Sequence, residues 1–299
     1  MKKILLSLII FATAFTACGK KDLSNESDKK DESQIESQSQ NESKSQIESP
    51  SLSNMASDES LSFVENALKD ALSSDNDPAL ASVDKFISLV KDYNQTVGEE
   101  NLISDFKEDL NPIYDVGKLI ENRDKADKNF PDTNCRINSY LLAADNMKVQ
   151  KAGEADDELL FMDMEKIKEG KIFDDERTET FKKFFARVPT DDSKDPKVHG
   201  KVMEKYFRDW SFPEKANLIS VVIHDKLDGS YLFIGHIGIL VPIDGGFLFV
   251  EKISFEEPYQ AIKFKDKDQV YKYLKGKYKD YQDPDTAPSF IMDNGKFIG

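Results

Sequence analysis

At Pro213 the apolar pattern of this chain changes period, and that change limits the folds open to it. Before it, apolar residues recur at helical spacing: Leu61, Val64, Leu68 and Leu72, then Leu80, Val83, Phe86-Ile87 and Val90 behind Asp77-Pro78. Helical stripes return around Ile137–Met147, Leu159–Ile167, Thr180–Val188 and Val198–Trp210. After Pro213 the pattern is that of strands: Leu218–Ile223, Tyr231–Val241, Phe247–Phe255 and Gln260–Phe264, with turn signals at Lys226–Gly229 and Asp244–Gly246. Asp266-Lys267-Asp268-Gln269 reads as the start of one more helix. Helices first and an antiparallel meander after them predict an α+β fold. No internal repeat is visible.

The first 58 residues have a different character. Met1-Lys2-Lys3, an apolar run from Ile4 to Phe15 and Thr16-Ala17-Cys18-Gly19 form an export signal too short to span a bilayer. From Gly19 to about Asp58 the chain is Ser, Glu, Gln, Asn, Lys and Asp, too polar to build a core. Such a coil has a reach on the order of 35 Å. The expected organisation is therefore a signal peptide over 1–17, a disordered stalk over 18–58 and a single α+β domain over 59–299. The net charge of −15, from 56 acidic and 41 basic residues, argues against nucleic acid as a partner.

A cysteine placed like Cys18 resembles the lipobox of bacterial lipoproteins, in which that thiol carries the lipid. The resemblance implies a membrane anchor through Cys18 and a location on the extracytoplasmic face of the cell membrane. It also leaves Cys135 as the one cysteine of the folded part, an unpaired thiol in a compartment that favours disulfides.

Cys135 stands at a predicted helix start, with Asn134 or Thr133 as cap and Arg136 as a neighbouring positive charge; all three favour a thiolate. A small buried hydrophobe is the plainer reading of such a residue. His236 sits within the most apolar strand, between Gly235 and Gly238, where a polar group needs a partner. Period 2 puts Glu251 on the face of Phe247 and Phe249, and a carboxylate there needs a partner too. A His236–Glu251 pair across adjacent strands satisfies both and orients the imidazole. His199 and His224 read as surface residues, and Trp210 as the close of a helical stripe. The tyrosines 271, 273, 278 and 281 read as one face of an amphipathic terminal helix. There is no phosphate-binding loop, no His-Glu-x-x-His and no calcium-loop spacing, and neither a cofactor nor a metal site is expected.

Cysteine at a helix start, histidine in a His236-Ile237-Gly238-Ile239 strand and a polar residue on the next strand resemble the papain-like arrangement, in particular NlpC-type cell-wall cysteine peptidases and amidases. The resemblance implies Cys135 as nucleophile, His236 as base, Glu251 as orienting group, and a cell-wall peptide or protein as substrate. Asn134-Cys135-Arg136 differs from the Asp-Cys and small residues usual there. Of the upstream tyrosine usual near the oxyanion site, Tyr93 and Tyr114 are the available counterparts. The Asn-Cys-Arg element and Pro258-Tyr259-Gln260-Ala261 also resemble an uncharacterised family of Gram-positive lipoproteins. The other reading is a non-catalytic envelope lipoprotein, an adhesin or binding module.

Overall fold

A computed structural model describes residues 47–73, 78–150, 155–281 and 283–299. The stretches read as export signal and stalk, with Cys18, lie outside the described residues as far as residue 46. Among those described, no helix is long and apolar enough to cross a membrane. The helices are α1 (Asp58–Leu72), α2 (Pro78–Val97), α3 (Val116–Lys125), α4 (Cys135–Ala143), α5 (Phe161–Gly170), α6 (Asp175–Phe185), α7 (Pro196–Phe207) and α8 (Lys267–Lys277). The strands are β1 (Ser51–Ser53), β2 (Lys148–Val149), β3 (Val188–Pro189), β4 (Trp210–Ser211), β5 (Asn217–Asp225), β6 (Tyr231–Ile243), β7 (Gly246–Lys252), β8 (Tyr259–Phe264), β9 (Phe290–Asp293) and β10 (Lys296–Phe297). The main sheet runs β1-β8-β7-β6-β5-β9-β10, with β3 added on β6, and its pairings are antiparallel. The α+β class and its order, helices first and meander second, are those expected.

Alternation along the central strands divides the core in two. Ile237, Ile239 and Val241 of β6 belong to the larger cluster, with Val64, Phe86 and Leu141 from α1, α2 and α4. Leu240 joins Ile219, Phe249 and Ile262 in the smaller one, which Val270 and Leu274 of α8 close. So α4 and α8 lie on opposite faces of the sheet.

Several expectations need correction. The boundary drawn at residue 59 falls inside the fold. Ser51–Ser53 is an edge strand with Leu52 opposite Ile262, and Leu52, Asn54 and Met55 are buried. Two apolar side chains among serines are enough for a three-residue strand, which composition averaged over the stalk hides. Trp210 pairs with Val149 in β2–β4 instead of closing a helix. His199 lies on α7 at 0% exposure and His224 on β5 at 3%, so neither is a surface residue.

Two features of the sheet prepare the site. Val221 pairs with His236 but Val222 with Ile234, so Gly235 is the extra residue of a β-bulge that re-aims the histidine. The β6–β7 ladder stops at Ile239↔Val250, although β7 continues along β8 to Lys252↔Tyr259. Beyond that point β6 and β7 part, with His236 on one lip and Glu251 on the other.

Candidate active site

The first turn of α4 fits where the two strands separate. The backbone groups of Ile237 that have lost β7 are taken up by α4. The N–H of Ile237 donates to the Cys135 sulfur, and its carbonyl accepts from Ser139 Oγ at 3.2 Å. Of the two candidate caps, Asn134 is the one used. Its Oδ1 accepts from the Ile137 N–H at 3.0 Å, while Thr133 Oγ1 is bonded to Tyr259 and Asn138.

The loop before Cys135 is fixed on both sides. Asp163 of α5, fully buried, accepts from Asn134 Nδ2 at 2.7 Å, from Arg136 Nε at 3.1 Å and from Arg136 Nη2 at 2.7 Å. Arg136 thus points its guanidinium away into a bidentate ion pair, where the large side chain does not obstruct the sulfur. On the other side the Tyr259 hydroxyl lies 3.0 Å from Thr133 Oγ1. The Asn-Cys-Arg element and the Pro258–Ala261 stretch therefore meet in space. Arg123 ties the preceding residues down through Asp92, Asp132 and the Phe130 carbonyl.

Cys135, His236 and Glu251 are brought together in one chain of contacts. His236 Nε2 donates to Glu251 Oε2 at 2.5 Å. The ring's other nitrogen is left for Cys135, with which the imidazole is hydrogen-bonded. Glu251 is held from behind by α8. Its Oε1 accepts from the Tyr273 hydroxyl at 2.8 Å and from Lys277 Nζ at 3.1 Å.

Burial opposes charge on every member, and the partners decide the outcome. For Cys135 desolvation is outweighed by the charge and hydrogen bond of His236, by Arg136 and by the Ile237 N–H, and the thiol is pushed below its ordinary value. For His236 desolvation is outweighed by Cys135 and Glu251, which raise it to about 9. For Glu251 desolvation is outweighed by Lys277, His236 and the Tyr273 hydroxyl, and its carboxyl falls far below the usual range. Both shifts favour transfer of a proton from the Cys135 sulfur to the His236 imidazole, beside a fixed carboxylate.

Tyr278, at the end of α8, stacks on the His236 ring with centroids 5.0 Å apart and planes at 24°. Neither upstream tyrosine has a hydroxyl free for Cys135. That of Tyr93 donates to the Glu256 carbonyl, and that of Tyr114 is engaged by Asn54 and Gln260. Sequence reading missed Tyr273, Lys277 and Asp163 as site residues. The signal for the first two was the unmatched charge of Glu251, which required donors from the facing helix.

A second buried group lies elsewhere on the sheet. The rings of His199 and His224 are 4.3 Å apart. His199 Nε2 donates to the Ser193 carbonyl at 2.6 Å and Nδ1 accepts from Thr190 Oγ1 at 2.8 Å. His224 Nδ1 accepts from the Ala287 N–H at 3.0 Å and Nε2 donates to Ser230 Oγ at 2.9 Å. Desolvation, His199 and Lys226 push His224 below its ordinary value.

Compared with known proteins, residues 51–298 match a family described as a domain of unknown function, DUF4300. No curated protein and no solved structure matches the chain.

Proposed function

For the DUF4300 family, to which this chain belongs, we propose a cysteine hydrolase of amide bonds with a papain-like, NlpC-type arrangement. The observation that carries it is the buried Cys135–His236–Glu251 chain, with Cys135 at a helix start. The thiolate attacks the amide carbonyl. The negative charge that develops on oxygen is met by the first-turn N–H groups of Cys135 and Arg136, which have no partner within the helix. His236, already protonated, gives its proton to the leaving nitrogen as the C–N bond breaks, and an acyl-thioester and a free amine result. His236, now neutral, takes a proton from water, the hydroxide attacks the thioester, and the C–S bond breaks to give back the thiolate and a carboxylic acid, which loses its proton to the released amine. The thiolate–imidazolium pair is thereby restored. Glu251 keeps the ring oriented throughout.

In this reading the protein acts at the extracytoplasmic face of the membrane, tethered by a lipid on Cys18, and its substrate is a cell-wall peptide. Peptidoglycan stem-peptide fragments incubated with the full chain test it. Release of new amino groups should occur with the wild type and vanish in Cys135→Ala. Iodoacetamide labelling across pH supplies the second arm. The Cys135 peptide should label well below the ordinary thiol range, and His236→Gln should move the midpoint back up. Ordinary alkaline labelling in the wild type sinks the reading.

One observation favours a non-catalytic envelope lipoprotein instead: Cys135 is 6% exposed and His236 1%. Under that reading Cys135→Ser changes neither ligand affinity nor phenotype.

A further inference from the structure

A thiolate that is to attack a carbonyl must be reached, and in this fold it is covered. The nearest cover is an aromatic stack that the mechanism does not use: Tyr278 lies on His236, and Tyr281 lies on Tyr278 with centroids 5.3 Å apart. Tyr278 is 7% exposed and Tyr281 59%, so the rings lead from the buried site to the surface. Tyr281 in turn lines a cavity of about 470 Å³ with Ile223, Phe233 and Thr286. A second cavity, beside Tyr273 and Lys277, leads only to the rear of Glu251 and away from the sulfur.

The backbone of Tyr278 is anchored, its N–H to the Leu274 carbonyl and its carbonyl to Ser289 Oγ at 3.2 Å. Its side chain is not. The hydroxyls of Tyr93, Tyr114, Tyr259 and Tyr273 are each hydrogen-bonded. Among the described residues the Tyr278 hydroxyl has no such partner. The ring is held by its stack on the His236 imidazole and by apolar packing in the smaller core cluster, contacts that a side-chain rotation breaks without orphaning any polar group.

We propose that Tyr278 is the gate and size-selecting residue of the Cys135 site: its ring swings off His236 to join the Tyr281 cavity to the sulfur, and its bulk limits which acyl groups enter. The proposal rests on the cysteine-hydrolase reading.

Labelling of the full chain, read at the Cys135 peptide by mass spectrometry, tests it with a small reagent, iodoacetamide, and a bulky one, biotin-maleimide. Tyr278→Ala should raise both rates, the bulky reagent's more, by at least about tenfold, as when a minor open state becomes the main one. Tyr278→Leu, which fills the space without stacking, should give a smaller gain in the same order of reagents. Tyr278→Phe, which keeps the stack, should match the wild type. The midpoint of the pH dependence should stay below the ordinary thiol range in all of them. Unchanged rates in both Tyr278→Ala and Tyr278→Leu overturn the gate, as do equal gains for the two reagents. A low pH midpoint with unmoved rates discards the gate and keeps the hydrolase. An ordinary alkaline midpoint in every variant discards the hydrolase, whatever the rates.

Discussion

His236 and His224 are buried to the same degree, on strands of the same sheet, and each ring is hydrogen-bonded. They end in opposite states. His236 faces a carboxylate and a thiol and is raised to about 9, whereas His224 faces a hydroxyl and a backbone N–H and is lowered. Burial alone would have neutralised both. What decides is whether a partner can carry negative charge. A nitrogen that must accept from a peptide N–H cannot also hold a proton, so the Ala287 contact keeps His224 neutral. One pair of residues stores charge, and the other stores shape.

The largest break in that contrast is Glu251→Ala. It removes the charge His236 depends on and leaves Lys277 and the Tyr273 hydroxyl aimed at an empty space. Removing one partner of a buried ion pair costs about 3–5 kcal/mol. Urea unfolding should show a loss of that order, and the His236 imidazole signal in NMR should become that of a neutral ring at pH 7. A ring that stays charged there would mean that Cys135 alone holds the proton on His236. Glu251→Gln should titrate the same way with a smaller loss of stability, since the amide still accepts from Tyr273.

Cys135, His236 and Glu251 were legible in the sequence because each violates its expected surroundings: a lone thiol in a chain that reads as exported, and two polar residues in apolar strands. The contact of His236 with Glu251 followed from strand adjacency, and the place of Cys135 beside them from the papain-like resemblance. The residues that complete the site were not legible. Tyr273 and Lys277 look like the solvated face of an amphipathic helix, and only the tertiary placement of α8 over Glu251 turns that face inward. Asp163 sits among other acids and shows its role only once Asn134 and Arg136 converge on it. His199 and His224 were misread because their neighbours in sequence are polar. Each ring is buried by the other and by the chain near Ala287, contacts distant in sequence. β1 was lost for the same reason, since its partner, β8, lies far along the chain.

The next largest effect concerns the point where β6 and β7 part, next to Gly238. A methyl group on Gly238 would come within 2.9 Å of the Val250 carbonyl and still closer to the Phe249 ring. Backbone cannot yield there as a side-chain tip can. Gly238→Ala should cost about 1–3 kcal/mol, as overpacking typically does. Its signature is a loss of stability accompanied by a lower His236 pKa, because the parting of β6 and β7 shifts with it. Stability lost with the pKa unmoved would assign Gly238 to packing alone.

On the neutral side of the comparison, His224→Leu removes the acceptor of a buried N–H and should cost about 1–3 kcal/mol. The pH dependence is more telling than the size. The folded pKa of His224 lies below the ordinary 6.5, so the unfolded chain takes up the proton first. Stability is complete above 6.5 and is lost as pH falls from there toward the folded value. The groups facing the ring are His199, Lys226, Asp192 and Asp225, and none of them is removed in the variant. Denaturation midpoints should therefore fall less steeply with acid in His224→Leu than in the wild type. Parallel curves would show that folding leaves the titration of His224 unchanged.

The smallest expected effect is none at all, and it tests the ion pair most directly. In the unfolded chain Cys135 holds its proton up to about 9.0 and His236 is neutral above 6.5. In the proposed ion pair the proton sits on nitrogen instead of sulfur and leaves at about 9. Each state carries one proton on the pair between 6.5 and 9, so the pair adds no slope to stability in that window. In Cys135→Ala the balance is lost. Glu251 still raises His236, so the folded state holds a proton that the unfolded state lacks, and stability should decline as pH rises above 6.5. Lys252, lowered to about 7 by burial, favours the fold with rising pH, but equally in both proteins, so it drops out of the difference. The variant's stability, taken relative to the wild type at each pH, should therefore tilt downward across this window. A flat difference would show that Glu251 alone does not keep His236 protonated once the sulfur is gone. A tilt, together with thiolate absorbance in the wild type at pH 7, places the proton on His236, where the two histidine sites differ most.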